Sequence, residues 1–216
     1  MIPKVLHFIW VGNNPLPEYS LKNINAFKSI YDDYRVILWT DGDVIKNNLI
    51  PDFLHEYYFN NEFAHAFKAD ILRYIILYKF GGLYFDTDFE PLKKLNDSFL
   101  SFDFLGGIQT NNEVAIGFIG SAENNELIKN AINAIPISIR FAIDNHFYLP
   151  SEIHKITGPE FFNKIACQYK NESTYFFFTK EYFYPYWFTE IDRRNENFKE
   201  TSPLAYAVHH WEKSWK

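Results

Sequence analysis

Short apolar runs closed by turn residues alternate with stretches of helical period through the first half of the chain. Residues 5–10 are one such run, ended by Gly12-Asn13-Asn14-Pro15, and they predict a buried strand followed by a turn. From Pro17 to about residue 30, Leu21, Ile24, Phe27 and Ile30 recur at near-helical spacing, and a proline suits the opening of a helix. Residues 35–39 make a second strand, closed by Thr40-Asp41-Gly42-Asp43. Strand, helix and strand in this order predict an α/β unit with a parallel sheet.

The strongest element is a helix predicted over about residues 62–79, with Asn61 available to cap its start and Gly81-Gly82 to end it. Ala64, Phe67, Ile71, Ile75 and Tyr78 form its apolar stripe, widened by Leu72 and Ile76. Leu83-Tyr84-Phe85 then reads as a buried strand that runs straight into Asp86-Thr87-Asp88. Further strands are expected near residues 104–108, 114–119 and 174–178, and helices near 125–134 and 158–169. Residues 205–215 read as a strand leading into an exposed tail. No repeat, linker or shift in composition marks a boundary, so one domain over residues 1–216 is expected.

Composition narrows the classes. Aromatic residues make up 20% of the chain, with 23 Phe, 15 Tyr and 5 Trp, enough to fill a core and to build stacking platforms. A net charge of −6 argues against a nucleic-acid partner, which calls for a basic face. An anionic substrate remains compatible with that charge where a metal ion supplies the positive charge. The single cysteine, Cys167, excludes an intramolecular disulfide and a cysteine-rich zinc site. The N-terminus lacks the apolar stretch of a signal peptide, and no segment approaches the ~20 apolar residues of a membrane span. A cytoplasmic location is therefore expected, with peripheral attachment at the inner membrane face left open.

Asp86 and Asp88 alternate just beyond the end of an apolar strand, where ligands gather in open α/β sheets. Two carboxylates there suit a hard divalent cation, Mn²⁺ or Mg²⁺, and such an ion is what allows a diphosphate to sit beside them. Asp70 and Arg73, three apart on the preceding helix, are either a surface ion pair or a buried pair facing the strand end.

The stretch from Phe63 through Asp70, Arg73 and Tyr74, continued by Gly81-Gly82-Leu83-Tyr84-Phe85-Asp86-Thr87-Asp88, resembles the signature of the DXD-containing sugar-binding-region glycosyltransferases. That family takes in capsular polysaccharide transferases, the yeast initiating α-1,6-mannosyltransferase and, distantly, the large clostridial glucosylating toxins. The opening Ile2-to-Gly12 segment resembles the family's first strand, and His209-His210-Trp211-Glu212-Lys213-Ser214-Trp215 its closing motif. The resemblance implies a GT-A α/β/α sandwich with a mostly parallel central sheet. It also implies metal-dependent, retaining transfer of a hexose from a nucleotide sugar, with a UDP-sugar favoured, to a glycan or other hydroxyl acceptor in capsular or surface polysaccharide synthesis.

By position in the family motif, Trp10 stacks on the base, Asp70 and Arg73 bind the donor sugar and Tyr84 contacts the diphosphate. Asp88 ligates the metal directly, while Asp86 holds it through water and touches the donor. His209 or Ser214 completes the metal and phosphate shell, and Trp215 closes over the diphosphate. The toxins do not match at the histidines, which leaves His209 and His210 both open, although adjacent strand residues face opposite ways. Two other classes stay in view. A haloacid-dehalogenase-type phosphatase also places Asp-x-Asp after a strand, but it calls for a downstream acidic pair that this chain lacks. A carbohydrate-binding module explains the aromatics but not Asp70, Arg73, Asp86 and Asp88 together.

Overall fold

A computed structural model describes residues 1–60, 62–109, 112–146 and 152–212. Its centre is a six-stranded sheet in the order β2-β1-β3-β6-β5-β7. The strands are β1 (Val5–Ile9), β2 (Arg35–Trp39), β3 (Gly82–Phe85), β5 (Phe104–Ile108), β6 (Val114–Ser121) and β7 (Tyr175–Phe178), while β4 (Phe89–Pro91) lies outside it. Only β6 runs against the others: β1 pairs parallel with β2 and β3, β5 pairs parallel with β7, and both pairings of β6 are antiparallel. The expected α/β fold with a mostly parallel sheet is what the structure shows.

Strand alternation separates the two layers. On β3, Leu83 and Phe85 face the layer built on α1 (Glu18–Ile30), whose Ile24 and Phe27 are buried against them. Tyr84, between them, faces the opposite layer of α4 (His65–Phe80), α5 (Glu126–Asp144) and α7 (Pro159–Ala166). Helix α4 is apolar on nearly every side, and every residue from Ala69 to Leu77 is buried. Such a helix belongs inside a protein rather than at its surface, so the single stripe read from the sequence understated its burial.

Three departures from the sequence expectation have a clear local cause. Helix α4 starts at His65, with Ala64 at the capping position and no side-chain cap, and Asn61, expected to cap it, lies outside the described residues. Thr40-Asp41-Gly42-Asp43 is not merely a turn. It opens the short helix α2 (Asp41–Lys46) through a capping box in which the Asp43 carboxylate accepts from the Thr40 N–H at 3.0 Å. Helix α5 runs through Pro136, where a stop near residue 134 was expected, because Ile132, Ile135, Ile139 and Ala142 continue one buried stripe across the proline. Among the described residues no helix is long and apolar enough to cross a membrane.

The connection from α4 to β3 is locked from below. Gly81 and Gly82 take φ of +57° and +103°, and a Cβ on Gly82 would stand 2.6 Å from the Val5 carbonyl. His7, fully buried on β1, ties this turn to the next strand. Its Nδ1 accepts the Trp39 indole N–H at 3.0 Å, so the ring proton sits on Nε2, which donates to the Gly81 carbonyl at 2.7 Å. Burial pushes the His7 imidazole down to about 4, against the opposing pull of the Gly81 carbonyl.

Because the unfolded chain takes up this proton at higher pH than the folded one, stability present at pH 7 is lost as pH falls from about 6.5 toward 4. Urea unfolding is expected to show ~2 kcal/mol less stability at pH 5 than at pH 7 from this group. His7→Gln, which cannot titrate, should be less stable at pH 7 and show a shallower acid loss. Equal pH slopes in the two proteins would contradict the assignment.

Candidate functional site

The acidic triplet is a tight turn at the carboxyl end of β3. The Asp86 N–H donates to the Gly117 carbonyl on β6 at 2.8 Å, and the Phe89 N–H returns to the Asp86 carbonyl at 3.1 Å, which starts β4. Helix α1 holds the turn at its middle residue. Ser20 Oγ–H donates to Thr87 Oγ1 at 3.2 Å, and Asn23 Nδ2–H to the Thr87 carbonyl at 3.3 Å. Asp86 and Asp88 are thereby left on either side of a fixed point.

The C-terminal strand β8 (Ala207–His209) pairs antiparallel with β4, with Phe89 opposite His209. That register carries the His209 ring to the triplet. Its Nε2 lies 3.1 Å from Asp88 Oδ1 and 3.8 Å from Asp86 Oδ2, and one ligand atom from each of the three residues falls within 4.8 Å of the others. His210 points the other way, with Nε2 at 2.9 Å from Glu90 Oε2 and Nδ1 at 3.0 Å from the Tyr186 hydroxyl. His209, the last residue of β8, and His210 just beyond it thus face opposite ways, which the sequence alone left open.

Each carboxylate has one oxygen committed and one turned toward His209. Asp86 Oδ1 accepts from Tyr84 O–H at 2.6 Å and from Arg73 Nη2 at 3.0 Å. Asp88 Oδ2 accepts the backbone N–H of Glu212 at 2.9 Å. This last bond depends on Trp211, whose φ of +57° swings the following N–H back onto Asp88. A left-handed tryptophan is an uncommon conformation, and here the turn around Asp88 explains it.

Burial works against the charged forms of both Asp88 and His209. Their mutual attraction outweighs it, holding the Asp88 carboxyl below the usual carboxylate range and the His209 imidazole above its ordinary value. Two carboxylates and an imidazole are a donor set suited to a divalent transition ion, with Mn²⁺ a better match to the imidazole than Mg²⁺.

Arg73 is the counter-charge beneath this site. It is buried, 3.3 Å from Asp70 Oδ1 and 3.0 Å from Asp86 Oδ1, and its guanidinium lies 4.7 Å from the centre of the Tyr84 ring. Of the two readings of the Asp70–Arg73 pair, the buried one holds. Arg73 Nε and Nη1 make no hydrogen bond among the described residues, although both are shielded from solvent. Nη1 is nonetheless at ion-pair distance from Asp70 Oδ1, which leaves Nε as the donor with no partner among the described residues. Asp70, Arg73, Asp86 and His209 line one cleft of about 230 Å³, with Tyr184, Gln109 and Trp211 on its walls.

Sequence reasoning did not single out Tyr184 or Gln109, and it held Trp211 only as part of the closing motif. Gly117 was also missed, although a Cβ there would stand 3.0 Å from Asp86 Oδ2, so the bare glycine leaves space for that carboxylate. A glycine inside a strand was its only signal in the sequence. Trp10 follows β1, one strand over from β3, and donates its indole N–H to the Asn14 carbonyl at 2.7 Å. It is not one of the residues lining the cleft. Ser214 and Trp215 lie outside the described residues.

Several solved structures that share this architecture are glycosyltransferase domains. The chain superposes on the PaToxG glycosyltransferase with a TM-score of 0.60 at 18% identity, over 78% of this chain and 70% of that one. The catalytic domain of alpha-toxin from Clostridium novyi gives 0.59 at 13% identity, over 77% and 72% of the two chains. The UDP-bound glycosyltransferase domain of the YGT toxin gives 0.56 at 13%, over 82% and 79%. The fold is therefore that of the GT-A glycosyltransferases.

More narrowly, residues 17–104 match the family described as "Glycosyltransferase sugar-binding region containing DXD motif", which places this region of the chain in that family and bears out the resemblance. Inositol phosphoceramide mannosyltransferase 3 of Schizosaccharomyces pombe is 31% identical over 169 residues, 76% of this chain and 44% of its own length. Mannosyl phosphorylinositol ceramide synthase SUR1 of Saccharomyces cerevisiae is 28% identical over 177 residues, 79% of this chain and 43% of its own length. The chain thus spans less than half the length of these relatives.

Removing the buried cation leaves Asp70 and Asp86 without their shared counter-charge. In the absence of divalent ions, Arg73→Met is expected to lower unfolding stability by about 3–5 kcal/mol. A loss below about 1 kcal/mol, the scale of an exposed pair, would show that Arg73 does not balance this charge.

Proposed function

We propose that this chain is a metal-dependent glycosyltransferase that moves a hexosyl group from a nucleoside-diphosphate sugar to a hydroxyl acceptor. The observation that carries the reading is the convergence of Asp86, Asp88 and His209, drawn from two distant parts of the chain, with Asp86 and His209 lining the same cleft as the buried Asp70–Arg73 pair. Asp86, Asp88 and His209 would hold the cation, which would supply positive charge to a leaving diphosphate. A cation held by His209 would compete with the imidazole proton, so its binding would release a proton.

The protein's own residues supply the remaining functions. Arg73 neutralises Asp70 and Asp86 and brings its positive charge to the cleft wall, where it attracts donor oxygens. Asp70 accepts hydrogen bonds from the sugar hydroxyls, and Tyr84 fixes the orientation of Asp86 through its 2.6 Å bond. Trp10, Ser214 and Trp215 complete the donor site in this reading, around the base and the diphosphate. Both carboxylates lining the cleft are already bonded or ion-paired to Arg73. Neither is set up as a free nucleophile, so in a retaining transfer attack on the leaving-group face is favoured over a covalent glycosyl-enzyme.

The relatives named as mannosyltransferases favour a mannosyl donor over the UDP-sugar expected from the toxins, which share the fold at low identity. Their names likewise favour an inositol-type hydroxyl as acceptor over a capsular glycan.

A thermal-shift screen of GDP-mannose against UDP-hexoses, with and without Mn²⁺, tests this directly. Stabilisation is expected to grow with donor concentration and to require the metal. Asp88→Ala should keep its fold and lose transfer and donor hydrolysis by at least 100-fold, the usual scale for a lost electrostatic contact at a developing charge. Undiminished turnover in that variant or in excess chelator would refute the metal-dependent reading. Glycan binding with neither nucleotide nor metal would point to a binding module instead.

A further inference from the structure

Thr157 lies between the short helix α6 (Ile153–Ile156) and α7, and it is completely buried. Helix α4 grips it at two points. Thr157 Oγ1–H donates to Asp70 Oδ2 at 3.0 Å, and the Thr157 carbonyl accepts Tyr74 O–H at 2.7 Å. Asp70 and Tyr74 are four apart, hence neighbours on one face of the helix.

The turn itself has little freedom. The N–H groups of Thr157 and Gly158 both donate to the Ile153 carbonyl at 3.0 Å, and a Cβ on Gly158 would stand 2.7 Å from the His154 Cα. Thr157 therefore cannot shift without displacing α4, α6 or α7. Gly158 and Pro159, the next two residues, form part of the cleft wall.

The two oxygens of Asp70 are thus addressed from opposite sides, Oδ1 by Arg73 at 3.3 Å and Oδ2 by Thr157 at 3.0 Å. A carboxylate held by only one of these partners is free to turn about its last side-chain bond. Held by both, it has a fixed plane and keeps lone pairs for further donors. We propose that Thr157 is a positioning residue for the donor sugar, its hydroxyl fixing the Asp70 carboxylate toward the cleft and tying it to the Gly158-Pro159 wall. This rests on the reading of Asp70 as the sugar-binding carboxylate.

The contact leaves an electrostatic signature. Burial pushes Asp70 up to about 6, opposed by the Arg73 charge and by the Thr157 hydroxyl. The groups acting on Asp70 are Arg73 and Tyr74 on its own helix, Thr157 on the α6–α7 turn, and Asp86 beyond β3. Removing the hydroxyl must raise Asp70 further, since a bond to the charged form is lost.

The test compares Thr157→Val, which keeps the shape and removes the donor, with Thr157→Ser, which keeps the hydroxyl. Thr157→Val is expected to raise donor KM about tenfold, the scale of one hydrogen bond to a charged group. Mn²⁺ affinity should not change, Thr157→Ser should restore most of the donor affinity, and the Asp70 carboxyl should titrate at higher pH by carbon NMR. In an Asp70→Asn background the Val substitution should lose its effect. Unchanged donor KM and an unchanged Asp70 titration in folded Thr157→Val, or full additivity with Asp70→Asn, would overturn the proposal.

If Thr157→Val alone does not fold, recovery in the double variant with Asp70→Asn supports the link, and continued unfolding refutes it. A wild-type chain that binds no nucleotide sugar refutes the functional reading, while the Asp70 titration still decides the Thr157 contact.

Discussion

The buried guanidinium of Arg73 is the constraint on which the site depends. It stands within 3.3 Å of Asp70 and 3.0 Å of Asp86, against the ring of Tyr84, in a layer otherwise filled with apolar side chains. Carboxylates in such surroundings strongly resist ionisation unless a cation is fixed beside them. Helix α4 can be buried along almost its whole length because its two charged residues in this stretch neutralise each other at the sheet end. The same neutralisation frees Asp86 Oδ2 to turn outward, toward Asp88 and His209. Packing and chemistry are therefore joined at one side chain.

Above Arg73 the site is assembled by backbone geometry. A turn clamped through Thr87 by α1 presents Asp86 and Asp88, and the β4–β8 pairing delivers His209 from the far end of the chain. The left-handed Trp211 then sends the Glu212 N–H onto Asp88 Oδ2, leaving Oδ1 for a ligand. Each acidic residue has one oxygen fixed by the protein and one available. That division gives the cluster a defined orientation before any ligand arrives, which lowers the reorganisation needed for binding and for charge stabilisation.

Much of this was legible in the sequence wherever the signal is local. Strand β2 and strand β5 have the bounds read from their apolar runs, and Gly81-Gly82 marked the end of α4. Other features were obscured by competing local signals. Pro136 suggests a helix stop, yet the apolar stripe on either side of it keeps α5 intact. Thr40 and Asp43 carry a capping box that reads equally well as a turn until the helix behind it is seen.

The site divides in the same way. Asp70, Arg73, Tyr84, Asp86 and Asp88 lie within one helix-turn-strand stretch, so spacing and family resemblance together were enough to collect them. His209 against His210, the space left by Gly117 and the contact from Thr157 depend on partners tens of residues away or more. Strand alternation predicted that only one histidine faces inward, but the register of β8 on β4 had to be seen to say which.

Calorimetric titration of the chain with Mn²⁺ probes the assembled cluster most directly. One ion per chain is expected, released protons should accompany binding, and His209→Ala should weaken the affinity by tenfold or more, on the scale of losing a ligand-shell contact. Absence of Mn²⁺ binding in the wild type, or equal affinity in His209→Ala, would contradict the account.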